Sequence, residues 1–229
     1  GRKYIFPYAT TLTASSILTY VKNHLPTMIL GKEFSLENVA VFSILKTFFK
    51  ALHSLSGSFV DPMMSKFLEL KNNTKDFSVQ MNSIFFGTFL LRLSLFAILA
   101  LIVRYIFFIY KIENSEVNQL IFYVLGIEFI IAGMILIYGI VLRLDKTTSK
   151  VFIASLLRFG VELSLIYLIL LDYGIMAAAL ILLIARYIET VVMYLFIRNQ
   201  RIFHFSGVLL LCFLLIVVYS LFQLLAISQ

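Results

Sequence analysis

Lys46, Lys50 and His53 stand in LKTFFKALHSLSGSFVDP, residues 45–62, among phenylalanines and leucines of the kind that fill a membrane span. Wound as an α-helix at about 100° per residue, the three positions fall within roughly 60° of one another, with Ser43 and Gly57 on the same line. Leu45, Phe48, Phe49, Leu52, Leu55 and Phe59 cover the rest. A purely basic stripe at membrane depth suits the binding of an anionic group. His53 adds an imidazole that can titrate near neutrality and couple protons, or simply donate a hydrogen bond. A charge at the bilayer centre costs roughly 2.5–3.5 kcal/mol, so two lysines facing lipid would cost about 5–7 kcal/mol. Lys46 lies about ten residues, or roughly 15 Å, from the helix start, too far for easy snorkelling. Two arrangements relieve this cost. Either the lysines line a wet cavity that holds an anionic headgroup, or they meet carboxylates of other spans, for which Glu128, Glu162 and Glu189 have suitable depth.

Other charges fall inside apolar runs as well. Arg92, in FLLRLSLF, has no partner at helical spacing and either joins the basic wall or meets a glutamate across a helix contact. Arg158 and Glu162 are four apart, and Arg186 and Glu189 three apart, so each pair is expected to neutralise itself along one helix face as a structural ion pair. The vocabulary of catalysis is missing. The sequence holds no nucleophile elbow, zinc-type histidine pair, phosphate-cradling glycine loop or acidic cluster for a divalent metal, and Asp61 and Asp76 stand apart from any second carboxylate. Neither an enzyme nor a resident metal or cofactor is expected. Cys212, the sole cysteine, lies in an apolar run and offers no disulfide framework.

The elements that must position these residues are set by composition. With 61% hydrophobic and 14% charged residues and a mean hydropathy of +0.99, the chain reads as all-α and polytopic. Seven spans are expected, at 8–30, 36–63, 83–109, 118–141, 151–171, 175–197 and 207–226. The connections GKEFSLEN, KNNTKD, KIENSE, LDKTTSK, LDYG and RNQR are short, so successive helices should pack antiparallel. Ser35 is a candidate N-cap. Basic residues alternate between them: Arg2, Lys3, Lys66, Lys71, Lys75, Arg143, Lys146, Lys150, Arg198 and Arg201 share one side, which the positive-inside rule makes cytoplasmic. The amino end is then inside and the carboxyl end outside. Topology and anionic headgroups account for the net charge of +7, and nucleic acid is not implied as a partner. The first span carries Thr10, Thr11, Thr13, Ser15, Ser16 and Thr19, residues that allow close packing or line a polar path, and Pro26 is a candidate kink or gate. An uncharged final span suggests a peripheral helix, residues 207–229, added to a unit of about six helices over 1–206.

Residues 29–69, ILGKEFSLENVAVFSILKTFFKALHSLSGSFVDPMMSKFLE, resemble the middle of the polysaccharide and O-antigen flippases of the multidrug/oligosaccharidyl-lipid/polysaccharide exporter superfamily. Leu30-Gly31, the stretch Ser35 to Val39 and Pro62 carry the likeness, and Asp172 to Glu189 is similar to that family's outward turn. The resemblance covers roughly residues 4–198. It implies one lobe of a two-lobe transporter, the carboxyl-terminal one, with an amino-terminal lobe outside this chain. It also implies alternating-access export of a polyprenyl-linked oligosaccharide across the cytoplasmic (inner) membrane, with the substrate's phosphate or pyrophosphate held by Lys46 and Lys50, assisted by His53 and Arg92. Coupling to Na+ or H+ stays open. The family's aspartate before the Leu-Gly turn and its glycine-tyrosine at the next helix start are replaced here around His24 to Thr27 and Ala40 to Phe42, which argues against carrying over an ion site. Two alternatives remain: an ion-coupled drug exporter of the same superfamily, with unpaired carboxylates at its cavity, and a non-transporting scaffold for polysaccharide assembly, with a dry, fully paired centre.

Overall fold

The computed structural model describes residues 27–60, 74–145 and 147–197, together with Thr13, Ala14, Ile17, Leu18, Tyr20, Val21 and His24. Within them the chain is helical and contains no strand. A short helical stretch over 27–33 leads into α1 (Leu36–Val60), followed by α2 (Thr74–Ile109), α3 (Glu116–Leu144) and α4 (Thr148–Ile197). Five helical segments are long and apolar enough to cross a bilayer: Leu36–Val60, Val79–Ile109, Glu116–Leu144, Thr148–Leu168 and Gly174–Ile197. They coincide with five of the seven expected spans, and the protein is an all-α polytopic membrane protein. The expected first span is described only in part. Pro26 and the final span, 207–226, lie outside the described residues.

Local chemistry explains where these helices start and stop. Ser35 Oγ accepts from the Asn38 amide at 3.4 Å, and Ser115 Oγ accepts from the Asn118 amide at 3.3 Å, so each hydroxyl satisfies an amide at the first turn of its helix. Glu37 and Glu116 follow in those first turns, where the helix dipole favours an acid. α2 ends because Lys111 takes a left-handed conformation at φ 54°, which lets the Ile112 amide reach back to the Phe107 carbonyl at 2.8 Å. Ile112 and Phe107 are both buried, the apolar contact that commonly accompanies this stop.

α3 is the hub. It packs against both halves of α4 and against α1 and α2, and its apolar residues are buried almost all round. α2 lies antiparallel to it, as the successive pairs Phe85–Tyr138, Arg92–Phe129 and Phe96–Phe122 show. The approach is close because α3 presents glycine there. A Cβ on Gly126 would collide with the Phe96 ring, and one on Gly133 would lie 2.7 Å from Arg92 Cδ. The second arm of α4 carries four buried alanines, Ala177, Ala178, Ala179 and Ala185, small residues that permit close helix packing there.

The stretch LDYG, expected as the connection between two spans, is where α4 breaks into two arms, the spans Thr148–Leu168 and Gly174–Ile197. Helical structure runs from Thr148 to Ile197, and only Gly174 departs from it, with φ 67° and ψ −160°. That conformation is open to glycine almost alone, so the glycine that ends LDYG is the residue at which the chain reverses. The reversal is visible in the contacts across the two arms: Ser155 and Arg158 both meet Glu189, pairs centred on residues 172–174. A Cβ at Gly174 would meet nothing within 4 Å, so any cost of replacing it is conformational. Gly174→Ala is expected to lower stability by about 1–3 kcal/mol, read as a lowered midpoint of thermal unfolding in detergent.

Candidate functional site

Charged residues converge at the middle of the bundle. Counting from the start of its own span, each of Lys46, Lys50, Arg92, Glu128, Arg158, Glu162, Arg186 and Glu189 lies roughly 10–15 residues in, or about 15–22 Å at 1.5 Å per residue. For a hydrocarbon slab about 30 Å thick, that is its central zone. Three of the four long helices, α1, α3 and α4, enclose a furrow of about 450 Å³ there. It follows α3 from Leu125 to Arg143, roughly 27 Å of helix, and so runs from near mid-depth to the end at which α3 connects to α4. Five cations line it, Lys46, Lys50, Arg143, Arg158 and Arg186, against two carboxylates, Glu128 and Glu189.

The carboxylates are held by arginines. Arg186 Nε donates to Glu128 Oε1 at 2.6 Å and Arg186 Nη1 to Glu189 Oε2 at 3.0 Å, while Arg158 Nη1 reaches the same Glu189 oxygen at 3.1 Å. Ser155 Oγ donates to the other Glu189 oxygen at 2.9 Å. Longer ion pairs close the cluster, Arg158 to Glu128 at 3.9 Å and Arg158 to Glu162 at 3.8 Å. Both expected intrahelical pairs, Arg158–Glu162 and Arg186–Glu189, are therefore present, but the shortest contact, Arg186 to Glu128, runs to α3, and Arg158 lies closer to Glu189 of the other arm than to Glu162. The second of these follows from the fold-back at Gly174, which places Glu189 between Arg186 of its own arm and Arg158 of the other. Such a cluster holds α3 and both arms of α4 together and leaves each charge compensated in a place of low dielectric.

The basic stripe of α1 faces this cluster across the furrow. Lys46, Lys50 and His53 all line it, together with Phe49. Lys46 is half-buried, its ammonium 5.9 Å from the centre of the Phe42 ring, and Glu162 and Glu128 are the acidic charges that act on it most strongly. Lys50 is exposed and makes no ion pair among the described residues. The two expected arrangements thus divide between the two lysines: Lys46 sits in the field of carboxylates, whereas Lys50 opens onto the furrow.

Arg92 is placed differently from an outright wall residue. It is fully buried, behind His53, and does not line the furrow. No glutamate among the described residues meets it directly. Its Nη1 donates to the Phe129 carbonyl at 2.6 Å, its Nη2 contacts Ser56 Oγ at 2.6 Å and His53 Nδ1 at 3.0 Å, and the guanidinium carbon lies 4.8 Å from the Phe129 ring centre. Ser56, Arg143 and Ser155 belong to the site although nothing in their sequence context singles them out. Arg143 read as a topology marker in a connection, and neither serine carries a signal of its own.

No group of three or more histidine, cysteine or acidic side chains suited to a metal occurs among the described residues. The arrangement can bind an anion: a mobile ammonium at Lys50, a second at Lys46, a polar imidazole, and an exposed guanidinium at Arg143 where the furrow meets the helix end. Comparison of the chain with protein-family models, with curated proteins and with solved structures found no match.

Proposed function

We propose that the protein is a lobe of a membrane transporter that moves a phosphate-bearing, lipid-linked oligosaccharide across the cytoplasmic membrane. The observation that carries this reading is the furrow itself, which runs from mid-membrane depth to a helix end and is lined by five cations against two carboxylates. A cavity that held its charges only for stability would neutralise them. Here the two carboxylates are engaged by arginines, Lys46 stands in the field of Glu162 and Glu128, and Lys50 makes no ion pair among the described residues and is open to a ligand.

Lys50, Lys46 and His53 would receive the phosphate or pyrophosphate, while the polyprenyl tail stays among the lipids beside the outer helices. Arg143, and Lys150 in the first turn of α4, mark the furrow's other end, which is cytoplasmic under the positive-inside reading. The substrate would then enter from the cytoplasmic side, and rocking against a second lobe would expose it outside. The drug-exporter alternative wants unpaired carboxylates at the cavity, and both glutamates of the furrow are in ion pairs. The scaffold alternative wants a dry, fully paired centre, and the exposed Lys50 speaks against it.

The test is transport by the full-length protein in proteoliposomes loaded with a fluorescent polyprenyl-pyrophosphate oligosaccharide. Protein-dependent movement of the label between leaflets is expected; the same rate in protein-free liposomes would reject the proposal.

A further inference from the structure

The Arg92–His53 contact fixes more than a position. A guanidinium has five N–H donors and no acceptor, so a hydrogen bond between Arg92 Nη2 and His53 Nδ1, here 3.0 Å long, requires that Nδ1 carry no proton. The imidazole proton must then sit on Nε2. His53 is half-buried and lines the furrow, while Arg92 lies behind it and does not. With one ring edge taken by the arginine, the Nε2–H edge is the one left to serve the furrow.

Arg92 is itself held too firmly to swing away. Phe129 supplies a carbonyl from α3, Ser56 a hydroxyl from α1, and Gly133 the space in which the side chain passes. Ser56 is in turn anchored, its hydroxyl donating to the His53 carbonyl at 2.9 Å. This leaves the Ser56 oxygen to accept from Arg92. The polarity of the chain is thus settled throughout: Arg92 donates to three acceptors, and the imidazole at the end of it points its single donor outward. A buried cation with no direct carboxylate partner among the described residues is otherwise a costly feature to maintain on α2.

We propose that Arg92 is a positioning residue that locks His53 as a neutral, pre-oriented Nε2–H donor to an anion in the furrow. His53 accordingly donates a hydrogen bond to phosphate oxygen and does not carry a transported proton. Lys50 lies three residues before it on the same face, so the ligand would receive one mobile charged donor and one fixed neutral donor. That pairing suits a phosphate oxygen group, whose several acceptors can take both. The proposal rests on the anion-binding reading of the furrow, and its test separates the two.

The experiment is nitrogen NMR of the full-length protein with 15N-labelled histidine in lipid nanodiscs, with His53 identified by the signals lost in His53→Gln. A single neutral form, Nε2 protonated and Nδ1 bare, is expected at neutral pH. Inorganic pyrophosphate should shift the Nε2 signal and leave Nδ1 nearly unmoved. In Arg92→Met, an apolar replacement of similar length, the preference for one tautomer should be lost. An Nδ1-protonated or doubly protonated ring in the wild type would overturn the proposal, as would an unchanged single tautomer in Arg92→Met. Should Arg92→Met not fold, the wild-type spectrum decides alone. The expected tautomer without a pyrophosphate shift would uphold the lock but overturn donation to the anion, and would count against the anion-binding reading as well.

Discussion

Glu189→Leu is expected to destabilise the protein by about 3–5 kcal/mol, the range for breaking a buried ion pair by removing one partner. Glu189 receives Ser155, Arg158 and Arg186 on its two oxygens, at 2.9, 3.1 and 3.0 Å. Without it, Arg186 keeps its 2.6 Å bond to Glu128, but Arg158 retains only the two contacts at 3.8 and 3.9 Å. A nearly buried guanidinium would then lack a close carboxylate where water is scarce. The chain would respond by separating the arms of α4 or by admitting water. Unfolding in detergent micelles measures the loss, and Arg158→Met combined with Glu189→Leu should cost less than the sum of the single changes, since the stranded charge goes with its partner. A loss below about 1 kcal/mol for Glu189→Leu would mean that the cluster behaves as a hydrated surface network.

Lys46→Ala combined with Lys50→Ala is expected to weaken binding of a polyprenyl pyrophosphate by at least about 3 kcal/mol, roughly a hundredfold in Kd, since each hydrogen bond to a charged group contributes about 1.5–3 kcal/mol. The fold should survive. Removing charges from mid-membrane relieves an insertion cost of about 2.5–3.5 kcal/mol each, and Phe42, Leu45 and Phe49, the buried apolar residues beside the stripe on α1, are untouched. The two single variants should differ. Lys50 makes no ion pair among the described residues, so Lys50→Ala removes ligand contact and little else. Lys46 stands in the field of Glu162 and Glu128, so Lys46→Ala also leaves three carboxylates facing two arginines and should disturb the cluster. Titration of the purified variants with the lipid, alongside their unfolding midpoints, separates the two effects. Unaltered affinity in a well-folded double variant would remove α1 from the binding site.

The five described spans were legible because long apolar stretches admit few alternatives in a bilayer, where every backbone group must be satisfied within the helix. Ser35 and Ser115 mark the starts of α1 and α3 by the same local logic, one hydroxyl for one orphan amide. The stripe of Lys46, Lys50 and His53 was equally readable, since helical periodicity alone puts the three on one face. What periodicity cannot supply is the partner across a contact. Spacing shows that Arg158 faces Glu162, but the shorter bond to Glu189 depends on how tightly Gly174 folds α4 back on itself. Arg92 was harder still, because its acceptors are a backbone carbonyl, a serine and a histidine from two other helices, none of which announces itself as a counter-group. The furrow is likewise a product of packing, an opening between α1 and α4 over α3 that no single segment encodes.

Accessibility of position 50 to a membrane-impermeant thiol reagent tests most directly whether the α1 stripe meets water and takes an anion. Cys212 is the only cysteine, so Cys212→Ser gives a clean background for Lys50→Cys, with Leu101→Cys on the outward face of α2 as the lipid-facing control. Position 50 is expected to react far faster than position 101 in proteoliposomes, and inorganic pyrophosphate should slow it. Equal, slow reaction at both positions would show a sealed helix contact where the furrow is drawn and would contradict the account.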